Sequence, residues 1–302
     1  MSIMLRTIRA LSSGTAPVLT AILTLGCSPT PDAAAQSIDL GRGELPVRVP
    51  VGYSPDTPTP LIVLLHGYGS SGAQQESYMK FGDVADRFGF LLVAPDGTEQ
   101  ATGENPRFWN ASRACCNFAG SSVDDSGYIV AVIDEMKRLF NVDEDRVYLV
   151  GHSNGGFMSF RVAYEHPTVV AAIASLAGAG SSEVRGPPTG PVHVLQIHGT
   201  ADETIRFEGG DIQDAGYPSA AESVERWARY NGCSLDGARR ANALDLDASL
   251  DGPETTVTRY AEGCVPGGSA ELWTIEDGGH VPRLSPTFAE HVVEWLLAHP
   301  KS

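Results

Sequence analysis

Runs of apolar residues alternate along this chain with stretches of helical period, and that alternation predicts a parallel sheet under helices. Leu61 to Leu65 is apolar at every position, so it reads as a strand buried on both faces. Phe90 to Gly97, Val147 to Val150, Val169 to Leu176 and Val192 to Ile197 repeat the pattern, and Thr255 to Ala261 and Ala270 to Glu276 read as later strands. Between them, Gln74 to Phe88, Val123 to Phe140, Gly156 to His166, Ser219 to Tyr230 and Pro286 to Ala298 have the spacing of amphipathic helices. Asp124 and Asp125 open the second of these and suit the positive end of its dipole. Ser37 to Tyr53 alternates around Gly41 and Gly43, which predicts an edge hairpin. Leu235 to Thr256 is polar and poorly patterned.

The chemistry centres on Gly151-His152-Ser153-Asn154-Gly155. G-x-S-x-G between a strand and a helix is the pattern of a nucleophile elbow, where small residues two places either side let the backbone fold sharply and lift the serine Oγ clear of the sheet. The N–H of Asn154 then faces a developing oxyanion. A serine nucleophile needs a histidine base and a carboxylate that orients it. On an α/β-hydrolase fold, a mostly parallel sheet with helices on both faces, these follow in the order serine, acid, histidine. Asp202 lies just past the Val192 to Ile197 strand, and His280 on the glycine-rich loop after Glu276. Asp96 precedes the serine and reads as a turn residue, while His291 falls on the last helix and His299 in the tail. His66-Gly67-Tyr68-Gly69 follows the first buried strand, and its position assigns the second oxyanion N–H to Tyr68. His66 and His152 are expected close to the site, with structural roles or as part of the pocket. Glu99 to Ser122 is a long loop in which Phe108, Trp109 and Phe118 either wall an acyl pocket or, for Trp109, plug the loop onto the core.

Composition adds location. Residues 1 to 27 carry Arg6 and Arg9, then an apolar stretch too short and broken to span a membrane, which reads as an export signal. Two exits are open: acylation at Cys27, after Thr24-Leu25-Gly26, or cleavage after Ala33-Ala34-Ala35. Residues 28 to 37 read as a linker, and 38 to 302 as one catalytic domain. Loss of residues 1 to 27 removes two arginines and no acid, moving the formal charge from -16 to -18. So acidic a chain is not expected to bind nucleic acid, or a membrane other than through a lipid on Cys27. Apart from Cys27, four cysteines remain in an exported chain, which favours disulfides. Cys233 with Cys264 is the expected pair, and Cys115 and Cys116 either bridge each other or take separate partners. No C-x-x-C or H-x-x-x-H spacing accompanies them, so no metal is expected, and the triad chemistry requires no cofactor.

HGYGSSG followed by QESY, APDGT, RFWNASRACC, VDDSGYIVAVIDE, VYLVGHSNGGFMS, QIHGTAD, and NGC to EGC before GGH together resemble the polyhydroxybutyrate depolymerase-like esterases. That group is similar to the secreted feruloyl and acetyl xylan esterases of carbohydrate esterase family 1. The resemblance covers nearly the whole chain after the export signal. It implies Ser153 as nucleophile, Asp202 as acid, His280 as base, Tyr68 and Asn154 as oxyanion donors, and the Cys233 to Cys264 bridge. Its substrates would be feruloyl, acetyl or short hydroxyalkanoate esters, plant cell-wall or polyester in origin. Members commonly carry a tryptophan shortly after the catalytic histidine, where this chain has Val281-Pro282-Arg283. A transacylase on the same triad and a surface binding protein with an inactive site are the alternatives.

Overall fold

The computed structural model describes residues 36–101, 104–183 and 185–301; the expected export signal and Cys27 lie outside them. In chain order the strands are β1 (Gln36–Asp39), β2 (Glu44–Arg48), β3 (Thr59–Leu65), β4 (Leu91–Val93), β5 (Thr98–Glu99), β6 (Arg107–Phe108), β7 (Val142–His152), β8 (Ala172–Leu176), β9 (His193–Gly199), β10 (Gly210–Ile212), β11 (Ala215–Tyr217), β12 (Arg239–Leu244), β13 (Thr255–Tyr260) and β14 (Ala270–Ile275). The helices are α1 (Gly72–Met79), α2 (Gly82–Phe88), α3 (Asp125–Leu139), α4 (Asn154–Glu165), α5 (Ala220–Tyr230) and α6 (Phe288–Leu297). Ten strands form one sheet in the order β1-β2-β4-β3-β7-β8-β9-β14-β13-β12. The run from β4 to β14 is parallel, with antiparallel strands at both edges.

The unbroken apolar run of β3 follows from period-two geometry. Leu61, Val63 and Leu65 pack with α3, α4 and α5 on one face, and Ile62 and Leu64 pack with Met79, Phe81 and α6 on the other. With helices on both faces, neither set of side chains meets water, as the sequence pattern requires.

Four local features differ from the sequence reading. The helix expected over Gln74 to Phe88 is two: Lys80 takes a left-handed conformation (φ 57°), and the Gly82 N–H donates to the Glu76 carboxylate at 2.6 Å. That turn buries Phe81 completely. The polar stretch after Leu235 contains an edge strand, β12, paired with β13. β1 starts at Gln36, inside the stretch expected as linker. Asp125, expected to serve the α3 dipole, is instead fully buried and gathers three groups. Its carboxylate accepts from Arg42 at 2.6 Å, the Thr98 hydroxyl at 2.8 Å and the Asn110 N–H at 2.6 Å, while Asp124 caps α3 by accepting from the Gly127 N–H. Asp125 thereby ties the long loop after β4 to the start of α3. Disulfides join Cys233 to Cys264 and Cys115 to Cys116.

Candidate active site

Parallel strands end on one edge, so β3, β7, β9 and β14 deliver their following loops to the same place. The β3 to β7 register pairs Leu65 with Gly151, which sets His66 to Gly69 beside the turn into α4. The β9 to β14 register pairs Gly199 with Ile275, which sets the loops carrying Asp202 and His280 side by side.

Ser153 sits at the β7 to α4 turn with φ 53° and ψ -119°, a conformation that L-residues reach only under strain. Glycine at 151 and 155 makes the turn possible, since a Cβ on either would collide with the backbone of Gly155 or of Leu65 and His66. The His280 imidazole spans the site: Nε2 lies 2.9 Å from Ser153 Oγ and Nδ1 lies 2.7 Å from Asp202 Oδ2. An ionised carboxylate only accepts, so Nδ1 carries the proton and Nε2 accepts from the serine hydroxyl.

Asp202 is fully buried in its side chain. Burial favours its protonated form, but hydrogen bonds from His198, His280 and the Ile205 amide outweigh that and hold the carboxyl well below the ordinary range. Its Oδ1 accepts from the Thr204 and Ile205 N–H groups, each at 2.8 Å. His198 stands 3.3 Å from Oδ2 through Nε2, which also donates to the Ile205 carbonyl at 2.7 Å; its Nδ1 accepts from Gln196 at 2.9 Å. Gln196 and His198 therefore orient the Asp202 carboxylate. His198 precedes Asp202 in the chain, outside the order serine, acid, histidine, and its place four residues before Asp202 is the signal the sequence offers.

The backbone N–H groups of Tyr68 and Asn154 make no hydrogen bond among the described residues. The Asn154 side chain closes a two-bond ring with Trp109: the Trp109 N–H donates to Oδ1 at 2.6 Å and Nδ2 donates to the Trp109 carbonyl at 2.9 Å.

The expected pocket residues divide. Trp109 and His66 have no exposed surface, so neither walls a substrate pocket. Trp109 plugs the loop onto the core and donates its indole N–H to the His66 carbonyl at 3.0 Å. His66 is held neutral by burial; Nδ1 donates to the Gly67 carbonyl at 2.7 Å, and Nε2 accepts from the Gly97 N–H at 2.8 Å. His152 lies between the rings of Tyr78 and His280, with Nε2 2.9 Å from the His280 carbonyl. The exposed aromatic surface here is the Tyr68 and Phe118 pair, whose rings meet edge to face at 5.2 Å. A cavity of about 380 Å³ is lined by residues of α4 and α5 and by none of Ser153, His280, His66, Trp109 and His152.

Sheet order, strained serine turn and loop placement define an α/β-hydrolase. The chain belongs to the phospholipase/carboxylesterase family, whose profile matches residues 51–226. It is 33% identical over 235 residues to a putative esterase, NocK, of Nocardia uniformis subsp. tsuyamanensis, covering 73% of this chain and 64% of that protein. Feruloyl esterase B of Piromyces equi is 28% identical over 78% of this chain and 42% of its own length. The chain thus spans less than two thirds of these two relatives. Feruloyl esterase D of Neurospora crassa is 27% identical, with 86% of this chain and 88% of the relative covered. Among solved structures, an acetyl xylan esterase from Aspergillus awamori shares the fold at a TM-score of 0.59 and 15% identity, over 86% of this chain and 98% of that one.

Proposed function

We propose that the protein is an exported serine esterase that hydrolyses carboxylic esters through Ser153, His280 and Asp202. The observation that carries this reading is the single imidazole within hydrogen-bond distance of both Ser153 Oγ and Asp202 Oδ2. His280 takes the serine proton as Oγ attacks the ester carbonyl, and Asp202 stabilises the imidazolium that forms. The open N–H groups of Tyr68 and Asn154 hold the oxyanion, each worth on the order of 3 kcal/mol of barrier. The tetrahedral intermediate collapses, His280 returns the proton to the leaving alcohol, and the acyl group stays on Ser153. Water then attacks the acyl-enzyme with His280 again as base, releasing the acid.

Tyr68 and Phe118 supply the apolar surface beside the oxyanion position, where the acyl group would lie. The names of the relatives favour feruloyl esters, and acetyl and short hydroxyalkanoate esters fit the same chemistry. Two disulfides fit an exported chain.

The test is an ester panel on purified residues 36 to 302: 4-nitrophenyl acetate and butyrate, methyl ferulate, acetylated xylan and a 3-hydroxybutyrate oligomer. Hydrolysis by the wild type and its loss in Ser153→Ala is the expected result, and the preferred ester assigns the acyl group. No hydrolysis of any ester would overturn the reading in favour of acyl transfer or binding.

A further inference from the structure

Gly67 packs directly against Ser153: a Cβ on it would stand 3.5 Å from that of the serine. Gly67 to Ser70 form a turn, closed by the Ser70 N–H donating to the Gly67 carbonyl at 3.2 Å, with Gly69 at φ 74°. Gly67 donates its own N–H to the Gln75 side chain at 3.3 Å, and Gly69 donates to the Arg107 carbonyl at 2.8 Å. Within the turn, the Tyr68 N–H is left without a partner among the described residues. It is the N–H that the esterase reading gives to the oxyanion.

Where that N–H points is set by the peptide unit it shares with the Gly67 carbonyl. In a planar trans peptide the N–H and the C=O point in opposite directions, so a donor that fixes the oxygen also fixes the N–H. His66 is such a donor. Its ring is completely buried and held neutral by burial, and Nε2 lies 2.8 Å from the Gly97 N–H. A backbone N–H can only donate, so Nε2 accepts and the proton sits on Nδ1, which donates to the Gly67 carbonyl at 2.7 Å. The Trp109 ring, 5.1 Å away, packs against the imidazole and helps to hold it in place. On the other side of Gly67 the amide of Gln75, buried on α1, accepts the Gly67 N–H. The Gln75 Nε2 has no partner among the described residues, so the bond this side chain makes is to the turn.

We propose that His66 and Gln75 are positioning residues for ester cleavage: they clamp Gly67 from its two sides and aim the Tyr68 N–H at the oxyanion. The proposal rests on the esterase reading, since the aim of this N–H matters only if Ser153 attacks a carbonyl. Both side chains are buried, so they act through Tyr68. Their loss should weaken the hold on the transition state and leave the binding of an uncharged ground state nearly as it was.

The test compares His66→Gln with His66→Asn in the full chain. Counted from Cβ, an asparagine amide nitrogen takes the place of Nδ1 and a glutamine amide nitrogen that of Nε2, so asparagine alone keeps a donor for the Gly67 carbonyl. Two inhibitors are measured beside the hydrolysis of 4-nitrophenyl acetate. 1,1,1-Trifluoro-4-phenylbutan-2-one adds to a reactive serine and forms a tetrahedral oxyanion, whereas 4-phenylbutan-2-one binds without adding. His66→Gln is expected to lose roughly tenfold to a hundredfold in kcat/KM and in affinity for the trifluoro ketone, with the plain ketone within about twofold of the wild type. His66→Asn should lie nearer the wild type in both. Gln75→Met, which loses the acceptor and keeps the volume, should lose about threefold to tenfold in the same pattern, and it decides the matter should His66→Gln not fold. Unchanged kcat/KM and trifluoro ketone affinity in folded His66→Gln, equal weakening of the two ketones, or His66→Asn as damaged as His66→Gln overturns the proposal. A wild type that neither hydrolyses the ester nor binds the trifluoro ketone overturns the esterase reading and the clamp with it, whereas a hydrolysing wild type matched by His66→Gln removes the clamp alone.

Discussion

The Nε2–H of His152 donates to the carbonyl oxygen of His280 at 2.9 Å, so the residue before Ser153 holds the backbone of the residue that faces it. Two residues on, the Tyr78 hydroxyl donates to the Pro282 carbonyl, also at 2.9 Å. These bonds pin the loop on either side of the exposed Val281, in the stretch where the resemblance leads one to expect a tryptophan. Burial lowers His152 to a pKa of about 4, which keeps its ring neutral and its tautomer fixed near neutral pH.

Removing the His152 ring frees the His280 backbone without touching the reacting atoms. His152→Ala is expected to lower kcat on 4-nitrophenyl acetate about tenfold to a hundredfold, the usual penalty for a catalytic group displaced by a fraction of an ångström to one ångström. KM should change far less. Tyr78→Phe, which loses only the more distant bond, should lie between this variant and the wild type. An unchanged kcat in His152→Ala would remove the positioning role.

Asn154 contributes its backbone N–H to the site and its side chain to Trp109. Asn154→Ala keeps the N–H but leaves the buried Trp109 N–H without a partner and its carbonyl with only the Ala111 N–H. With one buried donor left unpaired, a destabilisation of about 1 to 3 kcal/mol is expected in urea unfolding. A midpoint equal to that of the wild type would show that the loop holds without this ring of bonds.

The buried Asp125 carboxylate makes a parallel case. Asp125→Ala takes the ion-pair partner from the Arg42 guanidinium and frees the Thr98 and Asn110 donors, so a loss of about 3 kcal/mol is expected. Limited proteolysis should then cut first between residues 99 and 122. Cleavage at the wild-type rate would contradict the anchoring.

Much of this was legible in the sequence because it is written in local pattern. The alternating burial of β3, the elbow glycines and the order Ser153, Asp202, His280 all leave a mark at fixed spacing. Features set by distant partners do not. The helical period runs straight through Lys80, and only the Glu76 to Gly82 bond and the burial of Phe81 show the break. β12 is an edge strand with polar positions, so it lacks the apolar alternation of a covered strand. Trp109 reads equally well as pocket wall or plug until its neighbours are known. Chain order alone gives His198 no part in the site, whereas its use depends on the fold returning Asp202 to it.

Two histidines set an acid limit on stability. His152 and His193 both fall from an ordinary 6.5 to about 4, mainly through burial. Between those values the unfolded chain binds the protons that the folded one refuses. The stability they contribute is therefore intact above pH 6.5 and is lost as the pH falls towards 4. The full shift corresponds to about 3 kcal/mol for a completely buried ring, with less for the partly exposed His193. His193→Gln is expected to show a smaller drop in melting temperature from pH 7 to 4.5 than the wild type, and equal drops would exclude its part.

The most direct test of the central claim is covalent. The protein would be treated with diethyl 4-nitrophenyl phosphate, and the adduct followed by intact mass and peptide mapping. One diethylphosphoryl group on Ser153 is expected, with one equivalent of 4-nitrophenol released, no adduct in Ser153→Ala and much slower labelling in His280→Ala. An unlabelled wild type, or label on another serine with labelling undiminished in Ser153→Ala, would contradict the assignment of Ser153 as the nucleophile.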